Sequence, residues 1–429
     1  MKRMKIVRYP KREAWREILR RPSGDSKHID ETVWKILEAV KQDGDKALRD
    51  LTRTLDGVEL EELTVSGDEF TQAETRVPEA LQNAIQTAKT NIEKFHMAQI
   101  EEVRKVETAP GVLCWRKSVP IEKIGLYAPA GTAPLFSSVL MLGIPALLAG
   151  CREVILCSPP DKKGKVADSI LYAASVCGIT RVFKVGGAQA IAALTYGTKT
   201  IPKVYKIFGP GNRFVTIAKQ MVATDVAIDI PAGPSEVAVL ADDSCNPAFV
   251  AADLLSQAEH GSDSQILLVT TSKQVIDETL CAIEKQLTDL PRREIAKRSL
   301  ANSRAVLVGD LEVAVDLINE YAAEHLILAT RNADIVAEKI INAGSVFIGN
   351  YSCESAGDYA SGTNHTLPTG GFARCSGGVS LDSFVKKITF QKLTADGIRT
   401  LAPTIECMAA AEGLEGHRRA VSVRLGQTK

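Results

Sequence analysis

Apolar positions recur at helical spacing early in the chain. Ile29, Val33, Ile36, Leu37 and Val40 fall on one helix face, and a second periodic stretch runs from about Leu81 to Ile100. From residue 121 the pattern changes to short β-rich runs, each followed by a longer stretch of helical character. EKIGLYAP, REVILCSPP, RVFKVGG and KIFGPGN are strands, separated by helices predicted at 133–149, 164–178 and 188–198. After AIDIPAGPSEVAVLAD the rhythm repeats. SQILLVTT, SRAVLVGD, HLILAT and SVFIGN alternate with helices predicted around 247–260, 272–288, 311–324 and 332–343. Alternation of this kind demands parallel pairing, because a parallel neighbour is reached only through a crossover.

The pattern therefore predicts an α/β chain with two doubly wound, incompletely Rossmann-like parallel-sheet domains. A helical N-terminal region over 1–120 packs with the first, which covers 121–237; the second covers 238–379. Residues 351–379 are rich in Gly, Ser and Thr with little apolar periodicity, so a long loop is expected there, of a length that usually carries function or is disordered. The final segment, 380–429, returns to helix and ends in the apolar alternation AVSVRL. It is too small to form its own core and must pack on something.

Length and composition agree with more than one core, since 429 residues at 45% hydrophobic exceed what a single compact core organises. Lys plus Arg and Asp plus Glu balance at 52 each, so no net field favours nucleic acid or an anionic membrane; a small-molecule partner is expected. Nine cysteines occur without CxxC pairs, and the opening MKRMKIVRYPKREAW lacks the apolar core of a signal peptide. These features point to a reducing cytoplasm. The longest apolar stretch, roughly Pro134 to Leu148, is too short to span a bilayer.

Two glycine-rich turns, VGGAQA (185–190) and FGPGN (208–212), follow strands and precede helices, where backbone N–H groups can face an anionic or polar ligand. Neither fits GxGxxG, and taken alone each is more often a plain tight turn, with an atypical nucleotide site as the alternative. Histidine is the sharper clue because only six occur. His28 and His96 lie in the helical N-terminal region and read as surface or packing residues. The other four stand beside carboxylates or amides, in QAEH (257–260), AEH (323–325), GDYASGTNH (357–365) and EGLEGH (412–417). Gln257 and His260 share a face at i and i+3; with Asp358 and His417, two nitrogens and two oxygens could hold one metal. Spacing alone leaves a solvated helix end as the simpler reading of QxxH.

PAGPSEV (231–237), DLLSQAEHG (253–261), YAAEHL (321–326), SAGDYASGTNHTLPTGG (355–371), VGGAQAIAAL (185–194) and KIFGPGN (206–212) together resemble the histidinol dehydrogenase family, in order, from about residue 25 to the end. The resemblance implies the final two oxidations of histidine biosynthesis, L-histidinol to L-histidine through the aldehyde, with two NAD⁺ and one zinc ion in a homodimer. It places zinc on Gln257, His260, Asp358 and His417, and NAD against Tyr127, Gln189 and Asn212. Substrate contacts fall on Ser235, His365 and Glu412, besides Gln257, His260, Asp358, His417 and His325. The C-terminal segment is implied to cross the dimer, so that Glu412 and His417 complete the partner's active site.

The pair Glu324 and His325 fits the chemistry on physical grounds as well. A neutral imidazole can take the hydroxyl proton as hydride leaves, and a carboxylate can assist addition of water to the aldehyde, the task the family gives to Glu324. The bland reading of AEH is a helix C-terminus where a histidinium meets the helix dipole. A thiohemiacetal route through Cys114, Cys151 or Cys353 has little support: Arg116 and Arg152 lie close to two of them, no histidine is near in sequence, and buried thiols are expected. Ala130 in YAPAGTAPL departs from the glycine common in the family, and its methyl could crowd the cofactor's approach. A paralogue acting on another polar alcohol would share zinc, NAD and the Glu-His pair; Glu412 and His365, which would read the amino alcohol and its ring, are both present. A binding or scaffold protein would have no reason to keep acid, base and metal ligands together.

Overall fold

The computed structural model describes residues 4–22, 27–130, 133–230 and 233–426. Pro231 and Ala232 of PAGPSEV, and Gly131 and Thr132 of YAPAGTAPL, lie outside them. Fourteen strands occur among these residues: β1 (Lys5–Arg8), β2 (Lys105–Ala109), β3 (Val112–Pro120), β4 (Lys123–Tyr127), β5 (Glu153–Ser158), β6 (Arg181–Lys184), β7 (Lys206–Phe208), β8 (Ala227–Ile228), β9 (Glu236–Ala241), β10 (Gln265–Thr270), β11 (Arg304–Leu307), β12 (Ala323–Ala329), β13 (Ala343–Ile348) and β14 (Val385–Leu393). They form two parallel sheets, ordered β6-β5-β4-β7-β8 and β1-β11-β10-β9-β12-β13, and an antiparallel sheet ordered β14-β3-β2.

Both parallel sheets carry cores on both faces, which is why their strands read as nearly continuous apolar runs. In the first sheet, Ile124, Leu126, Leu156 and Val182 face one core while Tyr127, Ile155, Cys157 and Phe183 face the other. In the second, Val237, Val239, Ile266 and Leu268 alternate in the same way with Ala238, Leu240, Leu267 and Val269. The helix Lys27–Asp43 buries Val33, Ile36, Leu37 and Val40 against the first sheet's second core, and Glu79–Met97 buries Ile85, Ala88 and Ile92 against its first.

The N-terminal region is not wholly helical. Lys5–Arg8 pairs in parallel with β11 at the edge of the second sheet, and residues 105–120 form a hairpin that pairs with β14. β14 also breaks the helical expectation for 380–429; the helices Ala395–Ala411 and Glu415–Ser422 follow it, and AVSVRL continues as helical turns rather than as a strand. The helix predicted at 311–324 stops at Tyr321, where Ala322 turns left-handed with φ 52°. Glu324 and His325 therefore open β12 instead of closing a helix.

Candidate active site and metal centre

The chain order β9, β10, β11, then β12 on the other side of β9, splits the second sheet between β9 and β12. Ligands in doubly wound sheets usually sit at the carboxyl ends of the strands beside such a split. Here the chemistry gathers at the amino ends. Glu324 and His325 begin β12, Glu236 begins β9, and the helix Pro247–Ala258 brings its C-terminal end to the same edge because it runs back antiparallel to the strands. That helix starts with Pro247 at its first position and an Asn246 cap, whose Oδ1 accepts from Ala248 N–H at 3.0 Å. It places Gln257 in its last turn, and His260 N–H closes on Gln257 O at 3.3 Å just beyond it. Asp358 is carried by a short helix, Glu354–Tyr359, within what the sequence reads as a loop.

Glu324 Oε2 accepts a hydrogen bond from Glu236 N–H at 2.8 Å. His325 Nδ1 lies 3.3 Å from Glu236 O, so the neutral ring donates from Nδ1 and keeps its Nε2 lone pair; Nε2 is 3.3 Å from Asp358 Oδ1. Burial pushes the Glu324 carboxyl up to about 8, more than the neighbouring His325 and the Glu236 N–H lower it. For His325 burial opposes the charged ring, yet Glu324, Glu354 and Asp358 outweigh it and raise the pKa to about 10 in the metal-free chain. Burial also raises Asp358, but His325, His365 and His260 together hold it below the usual carboxylate range. His260 keeps an exposed edge, and the surrounding protein is still dense enough to lower its pKa by desolvation.

One nitrogen of His260 and one oxygen each of Glu354 and Asp358 lie within 4.8 Å of one another. Gln257 is fully buried, and neither its Oε1 nor its Nε2 has a hydrogen-bond partner; Glu354 Oε1 and Asp358 Oδ1 are also unpartnered. Buried polar atoms without partners are costly, and a cation among these oxygens and nitrogens would relieve that cost. The donor set of amide and carboxylate oxygen with imidazole nitrogen suits zinc without thiolate.

His365 sits on the same side. Its Nδ1 is 3.0 Å from Asp358 O and its Nε2 is 3.3 Å from Ser138 Oγ, on the helix Phe136–Ala149 that follows β4. Asn364 Nδ2 donates to Met141 O at 2.6 Å, so the segment 360–370 ties the two parallel-sheet units together. Ser235 lies immediately before β9. Tyr127, Gln189 and Asn212 gather elsewhere, at the carboxyl edge of the first sheet: Tyr127 Oη accepts from Gly187 N–H at 3.0 Å, Gln189 is buried in the next helix, and Asn212 caps the helix Arg213–Met221. Ala130 is half-buried against the first core. Glu412 and His417 do not reach the cluster within one chain. Both are exposed: Glu412 caps the helix Ala395–Ala411, which packs on β14, and His417 lies on the helix Glu415–Ser422, which packs on the first.

Sequence reasoning missed Glu354 and Glu236. The first stands four residues before Asp358, a spacing that puts both carboxylates on one helix face; the second is the residue after Ser235. Glu236 is a hub: its side chain pairs with Arg21 and accepts from Gly370 N–H at 2.9 Å, while its backbone holds Glu324 and faces His325. Of the three thiols singled out, Cys353 caps the helix that carries Glu354 and Asp358. Burial raises Cys151 to about 11, whereas Cys353 is exposed rather than buried as expected. His28 is exposed and His96 is buried against Ile92 O at 2.9 Å, consistent with surface and packing roles.

Fold and site thus define a class: a two-unit α/β enzyme with a buried glutamate–histidine pair beside a nitrogen–oxygen metal site. A model of the family described as histidinol dehydrogenase matches residues 19–425. A histidinol dehydrogenase of Bacteroides fragilis is 57% identical, covering 99% of this chain and 100% of its own; one from Mannheimia succiniciproducens is 53% identical, covering 94% of each. A crystal structure of histidinol dehydrogenase from Elizabethkingia anophelis superposes with a TM-score of 0.96 at 53% identity, covering 99% of this chain and 98% of that one. The chain belongs to the histidinol dehydrogenase family.

Proposed function

We propose that this chain oxidises L-histidinol to L-histidine through the aldehyde, using NAD⁺ and zinc, as the last step of histidine biosynthesis. The observation that carries the reading is the buried Glu324–His325 pair opening β12 beside the donors of His260, Glu354 and Asp358, with the unpartnered Gln257 amide buried in the adjoining helix turn. Zinc held there, with His417 supplied by a second chain, would act as a Lewis acid that orients the substrate's nitrogens. In the first oxidation His325 Nε2 accepts the hydroxyl proton while the carbinol carbon gives hydride to one NAD⁺. In the second, water adds to the aldehyde as Glu324 takes one of its protons, and the resulting hydrate anion gives hydride to another NAD⁺; the carboxylic acid so formed releases its hydroxyl proton to solvent and leaves as the carboxylate. A pKa of about 8 makes Glu324 a stronger base than an ordinary carboxylate. A metal held by Asp358 would offset one of the three charges that favour the His325 cation and would move the ring toward its proton-accepting form.

Substrate contacts are assigned to Ser235, His365 and Glu412 with the ligands themselves, and NAD to Tyr127, Gln189 and Asn212. The active unit is a homodimer with shared sites, supported by the exposed positions of Glu412 and His417. Nine free cysteines support a reducing, cytoplasmic setting; among the described residues no helix is long and apolar enough to cross a membrane. NADH formation from L-histidinol against a panel of other polar alcohols, with elemental analysis, tests the reading. The purified protein should carry about one zinc per chain, and His260→Asn should lose both metal and activity. A metal-free but fully active enzyme would reject it.

A further inference from the structure

β4 and β7 are neighbours in the first sheet although two strand–helix units separate them in the chain. The helices that follow them pack on opposite faces, one against Val139 and Leu140's core and the other against Val215 and Ala218's, so a crevice opens where the two strands end. Gly209, the first residue after β7, turns there with φ +133°, and a Cβ on it would lie 2.2 Å from Tyr127 O. Only glycine can pass so close to the end of β4.

Both backbone polar groups of this glycine are held by one ion pair. Asp229 Oδ2 accepts from Gly209 N–H at 2.8 Å, and Lys219 Nζ donates to Gly209 O at 2.9 Å. Lys219 and Asp229 also pair with each other, and their side chains are only 4% and 2% exposed. At the other end of the turn Asn212 Oδ1 accepts from Phe214 N–H at 3.0 Å and Val215 N–H at 3.2 Å, capping the helix that carries Lys219. The cap occupies the amide oxygen and leaves the exposed amide NH₂ for a ligand. A buried ion pair seldom stabilises a fold more than a well-packed apolar pair would. This one fixes the path of a single turn.

We propose that Lys219 and Asp229 are positioning residues for the cofactor: by clamping Gly209 from both sides they hold the Gly209–Asn212 turn in the shape that presents Asn212 to NAD beside Tyr127. The proposal rests on the cofactor reading above. It is tested in the zinc-loaded enzyme with Lys219→Met, Asp229→Leu and Asp229→Asn, measuring KM for NAD⁺ and for L-histidinol, NADH binding by fluorescence titration, and zinc content. Lys219→Met and Asp229→Leu should raise KM for NAD⁺ and weaken NADH binding by about tenfold or more, with KM for L-histidinol within about twofold of wild type and zinc unchanged. Asp229→Asn keeps an oxygen for Gly209 N–H and should lose less than Asp229→Leu. If a single variant fails to fold, the double variant Lys219→Met/Asp229→Leu replaces the charges by an apolar pair and should fold while still binding NADH weakly. Unchanged NAD⁺ constants in the folded variants, or equal rises for NAD⁺ and L-histidinol, overturn the clamp. Asn212→Ala reports separately on the cofactor reading: if it leaves NAD⁺ binding intact that reading fails, whereas a rise confined to Asn212→Ala rejects the clamp alone.

Discussion

Burial drives Glu324 toward its neutral acid, while three carboxylates around His325 overcome the same penalty and favour its cation; both side chains therefore hold protons more tightly folded than unfolded. Glu324 rises from 4.5 to about 8 and His325 from 6.5 to about 10 in the metal-free chain. A raised folded pKa contributes stability that is complete below the unfolded value and is lost as pH climbs through the folded one. The chelator-stripped protein should accordingly unfold at lower urea concentration as pH rises from about 6.5 to about 9, and Glu324→Gln should flatten that slope. A midpoint independent of pH in the stripped wild type would contradict the charge arrangement. The proposed catalytic roles separate the pair differently. Because only the aldehyde step needs water activated, Glu324→Gln should slow oxidation of the aldehyde more than that of the alcohol, while His325→Asn should impair both. Single-turnover measurements started from each substrate decide it, and equal losses for Glu324→Gln in the two steps would undo the division of labour.

The strand that bears this pair is held in place by its neighbour. β12 and β13 run in parallel register with Ala323 opposite Ala343 and His325 opposite Ser345, and a Cβ on Gly344 between them would lie 2.5 Å from Glu324 O and 3.2 Å from both Leu367 and Pro368. Backbone and a proline ring cannot swing aside as a flexible side chain would. Gly344→Ala should therefore push β13 and the 366–370 segment away from β12, costing about 1–3 kcal/mol of stability and lowering kcat in both half-reactions. Urea unfolding with steady-state kinetics measures this; a variant as stable and active as wild type would mean that the site tolerates movement of this edge. The strands flanking the site were legible in sequence because burial on both faces makes them uninterrupted apolar runs, as in VAVLA of β9 and ILLVT of β10. β1 was not, because four residues, KIVR, carry too little periodicity and their pairing partner lies about three hundred residues away. β14 escaped for a different reason: most of its residues are exposed, so the antiparallel pairing with β3 left no apolar signature. In the site itself, the spacing of Gln257 and His260 reads as one helix face, whereas the helix ends at Ala258 and His260 lies in the turn beyond it; the approach of His260 to Asp358 depends on the short Glu354–Tyr359 helix, whose sequence reads as loop. Glu354 went unseen with it.

At the scale of the whole molecule, each chain holds an incomplete set of the proposed ligands. His260, Glu354 and Asp358 converge at the amino edge of the second sheet, with Gln257 buried in the helix turn before His260, while Glu412 and His417 are exposed in the C-terminal segment beyond β14. Exposed apolar side chains accompany them, among them Met408, Leu414 and Val423 on the C-terminal helices and Val106 on β2, as expected if this end of the molecule meets a second copy. Two-fold symmetry would then convert one reaching segment into two equivalent shared sites. Docking within one chain would make every site self-sufficient, and a mixing experiment separates the two arrangements. His260→Ala and His417→Ala chains, each inactive as a homodimer, are unfolded and refolded together in equal amounts. In a mixed dimer with shared sites one site collects both defects, while the other receives the intact His260 of one chain and the intact His417 of the other. If half of the dimers are mixed and sites act independently, activity should return to about a quarter of wild type. With docking in cis, every site keeps one defect and no activity returns. Tagging the two chains differently establishes that mixed dimers have formed, and silence in those dimers would reject the shared site.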